Sequence, residues 1–381
     1  MESSSSSEKT WWGGMAQART RIQALADVLG PFQFLQTLEA SETPNKDLLR
    51  DEALAEAIRS RLLDPQSGRG DDNLCNWLFD TYQTGDPDLQ TLVLGFVPTI
   101  CGAYLPRVAR KPEEPLGGFE AVLLALYTVE CKDRDGRAIV VNIPNLSQPS
   151  LYTPRVLSSN PTPMHVGLVS APLEPQNEVK STKRAIIVGI ALELFLRKIA
   201  VMPARSKIEL CVCARQWAMQ GCSWVGQVDE IAELALVGSG ASKGSVSGKQ
   251  ITEADRSGGA SLLNAHSLHI SSPEVERWRF GLEHEGESRV HLPLQILRPL
   301  LKILAHCLMA PMSFVELKAV ASAATKALYA RATHELIPEA ILSTRSLLRL
   351  DQAAKMALLA TTSASLSTPK PRKPEILLTS T

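Results

Sequence analysis

Leu89, Leu92, Val93, Phe96, Val97 and Ile100 are spaced at i, i+3, i+4, i+7, i+8 and i+11. A helix through them carries an apolar stripe along one side, and that stripe must be covered by other helices or by another molecule. Asp86 and Pro87 stand just upstream, where an N-cap and a first helical residue belong. Leu74, Trp77, Leu78 and Tyr82 repeat the spacing in the preceding segment, which ends near Gly85. The two segments read as an antiparallel helix pair joined by a short turn.

The same pattern predicts helices over 119–127, 184–199, 294–308, 314–329 and 338–350. Six or more amphipathic helices with few strand signals give a mainly α fold, a helical bundle or stack. No repeat of about 34 residues recurs, so a solenoid is not expected. One small β-hairpin is predicted near 127–143, with Tyr127 to Cys131 and Arg137 to Ile143 as its arms and Asp135-Gly136 in its turn. Pro144, Pro149, Pro154, Pro161, Pro163, Pro172 and Pro175 follow, a density that excludes regular helix and predicts a long extended connection.

Residues 1–14 begin with a serine run and read as a disordered tail, and 351–381 read as a mostly disordered one. The Gly/Ser-rich segment 238–260 buries too little apolar area to offset its ordering entropy, so it reads as a flexible insertion within a helical domain spanning 15–350. Forty basic residues balance forty acidic ones. No net field therefore draws the chain to nucleic acid or to an anionic membrane. The start lacks the basic and apolar regions of a secretory signal and has no glycine after Met1 for myristate, so neither secretion nor simple N-lipidation is expected. The apolar run 185–192 is too short for a bilayer span, which takes about 20 residues, and reads as a buried helix. Seven thinly spread cysteines suit a reducing cytosol.

Catalytic and ligand motifs are incomplete wherever they begin. Gly244 to Gln250 is one residue short of a phosphate loop, and Gln250 stands where the Mg²⁺-binding hydroxyl belongs. Cys211, Cys213 and Cys222 offer thiolates but lack the second close pair that structural zinc requires. His266 and His269 share a helical face without an acidic helper, and no nucleophile elbow or kinase signature occurs. Carboxylate pairs such as Glu113-Glu114 and the basic run Lys370 to Lys373 read as solvated charge. No catalytic, cofactor or metal residue is predicted, and the chain reads as a non-enzyme acting through protein contacts. The alternative left open is an enzyme or metal-binding protein using Cys211, Cys213 and Cys222.

Longer strings carry more specific information. Cys75-Asn76-Trp77-Leu78-Phe79-Asp80-Thr81-Tyr82-Gln83-Thr84-Gly85, then Phe96-Val97-Pro98 and Tyr104-Leu105, resemble the N-terminal helices of the hyccin family. The stretch from Glu120 through Tyr127 to Glu130, followed by Asp135-Gly136 and the run from Ile143-Pro144 to Tyr152, is similar to that family's central signature. Ala330 to Leu342 resembles its last helical region, so the resemblance covers about residues 15–350. The long Ser/Gly insertion and short C-terminal tail suggest a plant-type member.

The resemblance implies a non-catalytic subunit of the plasma-membrane phosphatidylinositol 4-kinase type III alpha complex, supporting phosphatidylinositol 4-phosphate production. Its implied partners are a tetratricopeptide-type helical-repeat scaffold, the kinase, and, indirectly, a membrane-anchor subunit. The implied location is the cytoplasm and the plasma membrane, reached through those partners, with no nucleic acid involved. On the two apolar stripes, Phe96, Ile100 and Tyr104, and Phe314, Leu317, Val320 and Leu328, are the candidates for the partner interface. Each stripe also has an intrachain-core reading.

Overall fold

The structure, a computed structural model, describes residues 2–30, 32–110, 114–143, 165–221, 227–237, 289–311 and 313–366. Among the described residues its fold is mainly α with one antiparallel pair of strands. The helices are α1 (Glu2–Leu29), α2 (Gln33–Glu39), α3 (Pro44–Arg50), α4 (Glu52–Leu63), α5 (Asn73–Gln83), α6 (Pro87–Leu94), α7 (Val97–Ala109) and α8 (Gly117–Asp133). After strands β1 (Ile139–Ile143) and β2 (His165–Ser170) come α9 (Ser181–Arg197), α10 (Ala204–Met219), α11 (Val228–Val237), α12 (Leu294–Leu308), α13 (Val315–His334) and α14 (Pro338–Leu366). The chain divides into two compact units, one of 1–210 with 288–300 and one of 211–287 with 301–381.

In the first unit α5 packs on α1 and on α8, and α8 in turn packs on α9. Asp72 caps α5 by accepting from the backbone N–H groups of Leu74 and Cys75 at 2.8 and 3.1 Å. Asp86 does the same for α6, from Asp88 and Leu89 at 2.9 and 3.0 Å. Each carboxylate satisfies helix-end donors that have no intrahelical partner and meets the positive end of the dipole. Trp77 buries its ring and donates its indole N–H to the Arg21 carbonyl of α1 at 2.8 Å, so its one polar atom costs little on burial. Gly68, at φ +76°, is required where it stands: a Cβ there would lie 2.2 Å from Cδ2 of Phe119. Gly189 lets α9 approach the Gln295 backbone, whose oxygen would be 2.5 Å from a Cβ.

The second unit is built around α13 and α14, with α11 against both. Ala232, Ala235, Tyr329 and Leu348 form a buried cluster there. Buried Arg331 donates to the Trp217 carbonyl at 2.6 Å and pairs with Glu335 at 2.9 Å, while Asp351 accepts from the buried Ser322 hydroxyl at 2.6 Å.

Four features depart from the sequence reading. Tyr127 to Cys131 is helical within α8, not a hairpin arm. Asp135 (φ 51°) and Gly136 (φ 68°) close that helix instead of turning a hairpin, with Gly136 N–H donating to the Cys131 carbonyl at 2.9 Å. A left-handed Asp-Gly suits either role, and the burial of Leu123, Leu126, Tyr127 and Glu130 decides for helix. The strands are instead Ile139–Ile143 and His165–Ser170.

The first stripe is likewise not one helix, because α6 ends at Leu94 and α7 starts at Val97, with Pro98 in its first turn. Helix α1 starts at Glu2, inside the segment read as a tail, and α14 runs on to Leu366. The run 185–192 lies within α9, with Ile187 to Leu192 buried as expected, while among the described residues Pro87–Ala109 is long and apolar enough to cross a bilayer, and 72% of its most apolar stretch is buried within the fold. Residues 238–260 and 367–381 lie outside the described residues.

Candidate partner-binding surfaces

Several polar side chains inside the first unit hold its elements together. Glu130, buried on α8, is paired with Arg134, which caps the C-terminal end of that helix, and with Arg197 at the end of α9. Arg134 also reaches the Ser170 hydroxyl of β2 at 2.9 Å and Glu193 of α9 at 3.3 Å. One guanidinium thus ties α8, α9 and the strand pair, which suits its planar fork of donors. The Tyr104 hydroxyl donates to Glu120 at 2.8 Å and accepts from Arg184 at 2.9 Å, and burial raises its pKa well above the usual phenol value. Arg107 donates to the backbone carbonyls of Ser67 and Asp64 at 2.6 and 2.8 Å and lies over the Phe119 ring, fixing the loop that contains Gly68.

Glu209 on α10 is the least satisfied of these groups. Its side chain is wholly buried, with Arg59 Nε of α4 3.3 Å from Oε2. Neither carboxylate oxygen receives a well-directed hydrogen bond, and Arg59 Nε is itself unmatched. Desolvation therefore outweighs the attraction of Arg59, and the pKa of Glu209 is pushed up to about 7.

The cysteines read as a possible reactive cluster are buried where they are described. Cys211 and Cys213 are both buried on α10. The Cys211 thiol is pushed well above the usual range, first by its hydrogen bond with Cys307 and then by burial. Protonated, enclosed thiols are poor nucleophiles and poor metal ligands. Among the described residues no group of three His, Cys, Asp or Glu side chains is placed to hold a metal ion. Cys222, His266, His269 and the loop from Gly244 to Gln250 lie outside the described residues.

Apolar surface is concentrated elsewhere. The register pairs Val140 with Leu168 and Asn142 with Val166, so Val140, Leu168 and Val166 share one face of the strand pair. Their exposures are 53%, 60% and 64%. Ile139, Val141 and Val169 are also exposed, so the ribbon is open on both sides. In the second unit Leu342, Leu350 and Met356 are exposed within one sector of α14, while Met309, Phe314 and Val315 are exposed around the connection from α12 to α13.

A family model described as Hyccin matches residues 39–370, most of the chain and parts of both units. The chain belongs to the hyccin family. In this hyccin-family protein, the residues that carried the resemblance have structural duties. Glu120 and Glu130 on α8 hold Tyr104, Arg134 and Arg197. Asp135 and Gly136 end α8, and Arg331 anchors α13 to the Trp217 carbonyl.

Of the seven interface candidates on the two stripes, the fold covers six. Phe96, Ile100, Tyr104, Leu317, Val320 and Leu328 are buried within the chain, and Phe314 is 43% exposed. A covered side chain has no surface to give a partner in this conformation. Periodicity identifies a face that must be covered and is silent about what covers it. Of the ribbon, the sequence predicts the arm Arg137 to Ile143, which contains β1, but places its partner at Tyr127 to Cys131, adjacent in sequence, whereas the structure pairs it with the distant His165–Ser170.

Proposed function

We propose that this chain is a non-catalytic structural subunit of a phosphatidylinositol 4-kinase complex at the plasma membrane. It stabilises a tetratricopeptide-type helical-repeat scaffold, helps to assemble and recruit the type III alpha kinase, and so supports phosphatidylinositol 4-phosphate production. The observation that carries this reading is the match to the hyccin family over residues 39–370. Two physical features support it. Buried Glu130 is paired internally and the described cysteines are enclosed, while the accessible apolar surface suits protein association. Contact with the anchor subunit and the membrane is indirect, and the chain moves between cytoplasm and plasma membrane with its partners.

The test is affinity purification of the full chain from its own cells, followed by mass spectrometry and by co-expression with the recovered scaffold. Recovery of the scaffold and kinase, together with a gain in soluble yield on co-expression, is the expected result. A well-behaved monomer that brings down neither protein would overturn the proposal.

A further inference from the structure

The strand pair exposes an unusual amount of apolar surface. Two-stranded ribbons are marginal in water by themselves, and exposed edges are normally protected by lysine, proline or inward-pointing charge. Here neither β1 nor β2 contains Asp, Glu, Lys or Arg, and both faces carry exposed aliphatic side chains. The depletion extends past the strands. Between Ala138 and Leu173 the sequence holds one charged side chain, Arg155, against 21% for the whole chain.

The ribbon is also held in place at its base. Arg134, at the C-terminal cap of α8, bonds the Ser170 hydroxyl at the end of β2, the Gly136 carbonyl accepts from Leu173 N–H at 2.9 Å, and the Tyr127 hydroxyl donates to the Glu174 carbonyl at 2.7 Å. An apolar element anchored this firmly has a defined direction, so ordering it costs a partner little.

We infer that this ribbon is a docking element that inserts into an uncharged apolar groove between helices of the helical-repeat scaffold. The inference rests on the function proposed above and names the surface that performs it. Three observations select this occupant. The absence of charge leaves nothing to complement an anionic lipid surface or nucleic acid, whose binding depends on Lys and Arg. Exposure on both faces suits a groove, which can cover Val140, Val166 and Leu168 on one side and Val141 on the other. A flat surface would leave half of the ribbon wet. A second copy is a poorer match, because strands of five and six residues present much less than the roughly 800 Å² per partner of a stable dimer. As one part of a larger scaffold contact the ribbon needs no such area of its own, and a few buried aliphatic anchors dominate affinity there.

The experiment compares the full chain with a Val140→Ser, Val166→Thr, Leu168→Ser variant, co-purified with the scaffold and titrated against it. Exposed side chains contribute little to folding, so the thermal midpoints of the two should agree, and hydrogen exchange along β1 and β2 should confirm that the ribbon still pairs. The expected result is at least a ~30-fold loss of scaffold affinity in the variant, with ribbon amides protected in the wild-type complex. A single Val140→Thr variant, which retains shape and strand propensity, serves if the triple variant loses the ribbon, and is expected to weaken binding several-fold. Equal binding by wild type and variants would overturn the inference and leave the proposed function standing. A wild-type chain that fails to bind the scaffold would overturn both. Wild-type self-association abolished by the variant would overturn it in favour of a ribbon-to-ribbon dimer.

Discussion

Replacing Glu209 by glutamine removes one titrating carboxylate from the interior of the first unit while retaining its shape. In the folded chain this group titrates near 7, against about 4.5 for an unhindered glutamate, because burial disfavours the anion more than Arg59 favours it. Below about pH 4.5 the side chain is protonated whether folded or not. Between 4.5 and 7 the folded state binds the extra proton, so stability falls as pH rises, and above 7 the full penalty applies. A difference of about 2.5 pH units at 1.36 kcal/mol each gives a loss of about 3 kcal/mol across that window.

Glutamine cannot titrate, so Glu209→Gln should flatten the pH dependence of unfolding by about this amount, whatever fixed offset its altered contact with Arg59 introduces. Urea unfolding at half-unit intervals from pH 4.5 to 8 measures the difference directly, and thermal midpoints should diverge by roughly 6–12 °C for a unit of this size. Parallel profiles within about 0.5 kcal/mol would refute the reasoning. A wild type that gains stability relative to the variant as pH rises would show that the Arg59 pair outweighs desolvation.

Other predictions use the same structure. Arg134→Met leaves buried Glu130 without its enclosed partner and should destabilise by about 3 kcal/mol, whereas Arg197→Ala, at a side chain 53% exposed, should cost about 1 kcal/mol or less in the same denaturant assay. Gly68→Ala forces a Cβ into the Phe119 ring from a left-handed backbone and should cost about 3 kcal/mol, measured by thermal unfolding. Leu336 stands at φ 54° in the connection from α13 to α14 with its side chain 78% exposed, so Leu336→Gly should raise stability by about 1 kcal/mol. Cys75, Cys101, Cys131, Cys211, Cys213 and Cys307 should resist alkylation under native conditions and react on unfolding, as mass-resolved labelling would show.

Helix positions were legible because their signals are local. Asp86-Pro87 opened α6 as the sequence implied, and the stretches over 184–199, 294–308 and 314–329 are helical for nearly their full length. Local chemistry was ambiguous where one residue pair suits two roles. Asp135-Gly136 can turn a hairpin or end a helix, and the choice lay with the packing of α8 on α5 and α9. The break at Gly95-Phe96 was hidden because the apolar spacing continues across it, and all six residues of the stripe are buried on both sides of the break.

What the sequence by itself determined is the mainly helical class, most helix positions, the lack of a completed catalytic motif and the family, since each is written in periodicity, capping residues or ordered strings. Tertiary structure alone decided which apolar faces are spent internally. Phe96, Ile100, Tyr104, Leu317, Val320 and Leu328 went into the core, while Val140, Val166 and Leu168 were left in solvent. The physical reason is that hydrophobic burial is non-directional: a sequence states how much apolar surface a segment must cover, and only the positions of distant segments determine what covers it.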